Sequence, residues 1–116
     1  MNLDSAIFYT KDLDRAIAFH RDELGFTLKE VQGTKFASFQ FDNGAKLGIK
    51  VADKPREIPG SQTVILTVSG IQNLYNGYQS KSLSIFSELS VQSWGTTFSI
   101  LDIDGNRIEF VEGGNE

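Results

Sequence analysis

The chain has 116 residues, 40% of them hydrophobic and 22% charged, enough for one domain with its own core and too apolar for a disordered chain. It contains no Cys, which excludes disulfides, thiol catalysis and thiolate zinc sites together. A net charge of −4 leaves no basic footprint, so small molecules or cations are the expected partners and nucleic acid is not.

Asn2 to Tyr9 alternates as a strand, and Asp12 then caps a helix carrying Leu13, Ala16, Ile17 and Leu24 on one face. Gly25 is placed to end it in the left-handed conformation. Strands are predicted over Thr27 to Gln32, Phe36 to Phe41 and Ala45 to Val51, the last two joined by a hairpin at Asp42-Asn43-Gly44. The segment 52–61 holds both prolines and reads as a connection. Beyond it come a strand at Gln62 to Val68, a short helix marked by Ile71, Leu74, Tyr75 and Tyr78, and strands at Leu83 to Val91, Thr96 to Leu101 and Arg107 to Val111. Asn73, Asn76 and Gly77 make the second helix the weaker of the two. No run approaches the ~20 apolar residues of a membrane helix, and no leader is visible, so the chain is read as cytoplasmic with no membrane partner.

The two halves repeat one plan. Asp12 and Gly70 open the helices 58 residues apart, and the turn glycines Gly44 and Gly105 stand 61 apart. The chain is therefore divided into module one, 1–51, a linker, 52–61, and module two, 62–112, each βαβββ.

With FYTKDLDRAIAFHRDELGF near its start and WGTTFSILDIDGNRIEFVE at its end, the chain resembles the vicinal-oxygen-chelate superfamily of glyoxalases, bleomycin-resistance proteins and dioxygenases. The resemblance implies an α+β fold in which paired βαβββ modules curl their strands into an incompletely closed mixed sheet around a ligand cavity, and it implies a homodimer. Metal-binding relatives take ligands from the first and last strands of each module. Those positions here are Ser5, Gly48, Thr63 and Glu109, and the repeat independently pairs Ser5 with Thr63 and Gly48 with Glu109. One His and no Cys leave too few ligands for zinc or a similar ion, so neither metal nor cofactor is expected.

If the ligand-equivalent positions face the cavity, strand alternation puts Ser5, Ile7, Tyr9, Lys46, Lys50, Thr63, Ile65, Thr67 and Arg107 beside Gly48 and Glu109. The lysines and Arg107 also fit a rim role, with their stems snorkelling to water. Trp94 is either a stacking surface at the cavity mouth or a core plug. His20 follows Phe19 on the first helix as an aromatic pair that seats it, a packing or surface role rather than a catalytic one. The expected function is metal-independent binding of an aromatic or cationic small molecule, with antibiotics among the candidate ligands, on Ser5, Ile7, Tyr9, Lys46, Gly48, Thr63, Ile65, Thr67, Trp94, Arg107 and Glu109. The alternatives are a divergent lyase, isomerase or dioxygenase-related enzyme with Glu109 as base, and a module that uses the fold only to dimerise.

Overall fold

In a computed structural model, which describes Met1 and residues 5 to 114, eight strands form two four-stranded mixed sheets. The first sheet has β1 (Ser5–Thr10), β2 (Thr27–Gln32), β3 (Phe36–Gln40) and β4 (Lys46–Val51) in the order β1-β4-β3-β2. The second has β5 (Thr63–Thr67), β6 (Ile85–Gln92), β7 (Gly95–Leu101) and β8 (Arg107–Gly113) in the order β5-β8-β7-β6. The order repeats, and so does the register: Ser5 pairs in parallel with Lys46, and Thr63 with Arg107. Both sequence offsets are thereby met. Residues 2 to 4, included in the predicted first strand, lie outside the described residues.

The chain divides into two compact units, Met1–Gln62 with Asp102–Asn106, and Thr63–Leu101 with Arg107–Glu116. The first unit is built on helix α1 (Leu13–Ala18), whose start is fixed by Asp12 Oδ1 accepting from the Arg15 backbone N–H at 3.1 Å. Its apolar face, Leu13, Ala16 and Ile17, packs on Ala37, Phe39 and Ile49 of β3 and β4. The helix then widens into a π-helical turn, Phe19–Glu23, closed by the Leu24 N–H on the Phe19 carbonyl. Gly25 leaves it at φ +80°, as its lack of a side chain allows.

The segment Asp102–Asn106 is bound into the first unit by its own polar atoms. Asn106 is fully buried: its Oδ1 accepts from Gly60 N–H at 3.0 Å and its Nδ2 donates to the Tyr9 carbonyl at 3.0 Å. Asp104 accepts from the Thr10 hydroxyl and from the Lys11 N–H at 3.1 Å. Gly60 is required here, because a Cβ on it would lie 2.3 Å from the Asp104 carbonyl oxygen.

The second unit is built on helix α2 (Ile71–Ser80), which the sequence marks weakly but which buries Ile71, Tyr75 and Tyr78. Tyr75 and Tyr78 meet the stacked rings of Phe98 and Phe110, whose centres are 4.8 Å apart. Burial pushes the Tyr78 hydroxyl up to about 12. Gly70 opens α2 in a left-handed conformation with no side chain to cap it. The cap comes from β8: the Glu112 carboxylate accepts from the Gly70 and Ile71 N–H groups at 3.1 and 3.0 Å, which lowers its pKa.

Candidate functional site

Strand register sorts the predicted site residues into two sets, one in each unit. In the first unit Ser5 lies beside Lys46, Ile7 beside Gly48 and Tyr9 beside Lys50, while β3 adds Ser38 opposite Gly48 and Phe36 opposite Lys50. Paired residues share a face, and the apolar alternates Phe8, Leu47 and Ile49 are buried on the other, as the alternation requires.

The centre of this first face is closed. A Cβ on Gly48 would lie 2.6 Å from Ile7 Cδ1 and 2.9 Å from the Phe36 ring, inside van der Waals contact. Two apolar side chains thus fold over the position where metal-binding relatives are expected to carry a carboxylate. Lys50 is also engaged, its Nζ 2.6 Å from Glu57 and 3.0 Å from Asp53, bonds that raise its pKa. It ties β4 to the segment after it, which is the rim role among those open to it.

The second face is built differently. Thr63 lies beside Arg107, Ile65 beside Glu109 and Thr67 beside Val111, and β7 brings Ser99 opposite Glu109. Arg107 Nη2 donates to Glu109 Oε1 at 2.9 Å, and its guanidinium carbon stands 4.8 Å from the centre of the Phe86 ring. Carboxylate, planar cation and aromatic ring follow one another, with Ile65 61% and Phe86 57% exposed. Trp94, before β7, is 59% exposed, which overturns the core-plug reading and leaves its flat face open to contact. Such a surface can stack a planar group and accept a hydrogen bond from it.

Three neighbours of these positions are not evident from the sequence. Phe86 is missed because bulges between Ile85 and Ser87 and between Ser87 and Ser90 break the alternation of β6. Ser38 and Ser99 are buried with unpartnered hydroxyls opposite positions 48 and 109. Their separation equals that of the two turn glycines, and this was the available signal.

The residues present do not fit a transition metal. Ser5 and Thr63 offer hydroxyls, Gly48 offers no donor, and Glu109 is bonded to Arg107. Among the described residues no three His, Asp or Glu side chains gather into a ligand set. A pocket of about 350 Å³ in the first unit is lined by Lys11, Asp12, Leu13, Val31, Thr34 and Lys35, among others, and none of the expected site residues borders it.

Residues 2–110 match the family model described as Glyoxalase/Bleomycin resistance protein/Dioxygenase superfamily. No curated protein sequence matches the chain. Among solved structures it is similar to TnmS3, an antibiotic binding protein from Streptomyces sp. CB03234, with TM-score 0.88, 18% identity, and 98% of this chain and 97% of that one covered. It is also similar to lactoylglutathione lyase from Agrobacterium tumefaciens, with TM-score 0.80, 19% identity and coverage of 97% and 93%. TioX from Micromonospora sp. ML1 follows with TM-score 0.78, 18% identity and coverage of 98% and 100%. At these identities the likeness is one of fold.

Proposed function

Because the chain belongs to the Glyoxalase/Bleomycin resistance protein/Dioxygenase superfamily, we propose that it is a binding protein for a planar aromatic or cationic small molecule, working without metal. The observation that carries this reading is the closure over Gly48 by Ile7 and Phe36, which fills one family ligand position with hydrocarbon. The second face supports it with what sequestration needs: exposed Ile65 and Phe86, the Arg107 guanidinium, and Glu109 as an acceptor. Threonine hydroxyls at 63 and 67 flank them. Sequestration requires affinity and no reacting group. An antibiotic is a reasonable first ligand class, since TnmS3 is described as an antibiotic binding protein. The lyase reading has no defined partner for Glu109, whose near oxygen is taken by Arg107.

Two measurements on the purified protein test this. Metal analysis is expected to return far less than one equivalent, and stoichiometric zinc, nickel, manganese or iron overturns metal independence. A thermal-shift screen of planar aromatic and cationic antibiotics is expected to give stabilising compounds, about 2.7 kcal/mol at a hundredfold excess over Kd. A screen without a single shift removes the binding role. We also propose a homodimer, which would cover open sheet edges; a monomer by light scattering at micromolar concentration rejects it.

A further inference from the structure

The pocket in the first unit lies outside the face proposed for ligand binding, and the repeat shows what stands at its counterpart. Helix starts are offset by 58 residues and the last strands by 61, so Lys11, Lys35 and Val51 correspond to Ser69, Thr96 and Glu112. The backbone agrees: the Val51 N–H donates to the Lys35 carbonyl at 2.9 Å, and Glu112 pairs with Thr96. In the second module the Glu112 carboxylate occupies this place, accepting from the Gly70 and Ile71 N–H groups.

The first module has no need of that carboxylate. The Asp12 N–H donates to the Thr10 hydroxyl at 3.2 Å, and Asp12 Oδ1 accepts from the Arg15 N–H, so α1 is capped by its own neighbours. Val51 is short and apolar where Glu112 is long and charged, and a pocket of about 350 Å³ stays open beside it. That is room for roughly ten waters at about 30 Å³ each, and so for a small organic molecule.

The charge around the pocket is balanced. Lys11 and Lys35 bring two ammonium groups where the second module has hydroxyls, and Asp12 and Asp14 bring two carboxylates. All four residues are exposed, and among the described residues none of their side chains is engaged by another side chain. Leu13, Val31 and Val51 supply apolar surface, and Val31, on the outer strand β2, is 48% exposed. A lone anion meets as many like charges here as opposite ones, and so does a lone cation. A molecule that carries both signs beside a short hydrocarbon body matches all three features.

We propose that this pocket binds a free aliphatic α-amino acid, its carboxylate held by Lys11 and Lys35, its ammonium by Asp12 and Asp14, and its side chain laid on Leu13, Val31 and Val51. Exposed ion pairs each add roughly fivefold to affinity at most, so a millimolar dissociation constant is expected.

Leucine is the probe. Titrated into the full chain and followed by amide NMR, it is expected to shift Leu13, Val31 and Thr34 saturably and to leave Ile65 and Glu109 unmoved, which keeps the result separate from the binding role of the second face. Isocaproate is leucine without its ammonium group and isoamylamine is leucine without its carboxylate; each should bind several-fold more weakly. No saturable shift with leucine, or an analogue that binds as tightly, overturns the proposal. Lys35→Met and Asp14→Asn change exposed side chains only, and each should weaken leucine binding several-fold; unchanged affinity in either overturns it. Val51→Glu copies Glu112 into the first module and is expected to fill the site, and leucine binding retained in full there also overturns it.

Discussion

The two modules share strand order and register and yet treat equivalent positions in opposite ways. At position 48 the first module has a glycine roofed by Ile7 and Phe36; at position 109 the second has a carboxylate bonded to a guanidinium beside an exposed ring. The turns that precede these strands differ in the same manner. Asp42-Asn43-Gly44 is exposed and bonds locally, Asn43 Oδ1 accepting from Ala45 N–H at 3.1 Å, whereas Asn106 is buried and reaches Tyr9 and Gly60. A duplicated backbone plan fixes where side chains point and leaves their chemistry free. One copy closes the centre of its face by packing and the other carries polar groups there.

The sharpest way to break the comparison is at the turns. Asn106→Ala takes a buried partner from the half-buried Gly60 N–H and Tyr9 carbonyl, at about 1–3 kcal/mol for each, so a loss of about 2–6 kcal/mol is expected in urea unfolding. Asn43→Ala, in the exposed turn, should cost no more than about 0.5 kcal/mol. Equal losses would mean that the turns are interchangeable.

Position 48 comes next. Gly48→Glu introduces a carboxylate but drives its Cβ into Ile7 and Phe36, with an expected loss of about 1–3 kcal/mol because those side-chain ends can move only partly. Gly113→Ala is the control, since no atom lies within 4 Å of its added Cβ. A neutral Gly48→Glu would show that the roof is soft.

How much of this was legible follows the same divide. Alternation and the glycines at 25, 44 and 105 announce strands, caps and turns, because those signals are local. The repeat implies that the two modules share one register, and the pairings of Ser5 with Lys46 and of Thr63 with Arg107 do so, but which residues pair is visible only in the structure. What stays hidden is contact across sequence distance. Nothing near His20 names Asp102 as its neighbour, nothing near Gly70 names Glu112 as the cap of α2, and the bulges of β6 conceal Phe86. The vacancy at 48 reads from the sequence as a missing ligand, but its filling by Phe36 needs the packed sheet.

Glu109→Gln probes the open face. Ligand affinity should weaken by roughly 1.5–3 kcal/mol through loss of a charge-assisted bond, with stability of the free chain falling at most about 1 kcal/mol, because both partners of the Arg107 pair are partly solvated. An unchanged affinity with any effect confined to the free protein would assign Glu109 to structure alone.

The smallest expected effect separates the helix starts. The Glu112 carboxyl is held below its ordinary pKa by two N–H donors, so its contribution is present above the unfolded carboxyl value and is lost as pH falls through the depressed one. Glu112→Gln should quicken exchange of the Gly70 and Ile71 amides and leave α1, capped by Asp12, unchanged. Faster exchange at both helices would contradict separate caps.

The turn at 102–106 also sets a timetable. Its bonds to Tyr9, Thr10 and Lys11 join residues 97, 94 and 93 positions apart. On a translating ribosome the first unit does not complete when Gln62 has been added. It waits for 44 further residues to reach Asn106, roughly 2 to 9 s at ordinary elongation rates. Through that interval the Tyr9 carbonyl lacks its side-chain donor, and a long loop must close before the contact forms. Nascent chains stalled before Asn106 should therefore be more protease-sensitive in the first unit than chains in which the 102–106 turn can dock, and slow codons between 62 and 106 would prolong that stage.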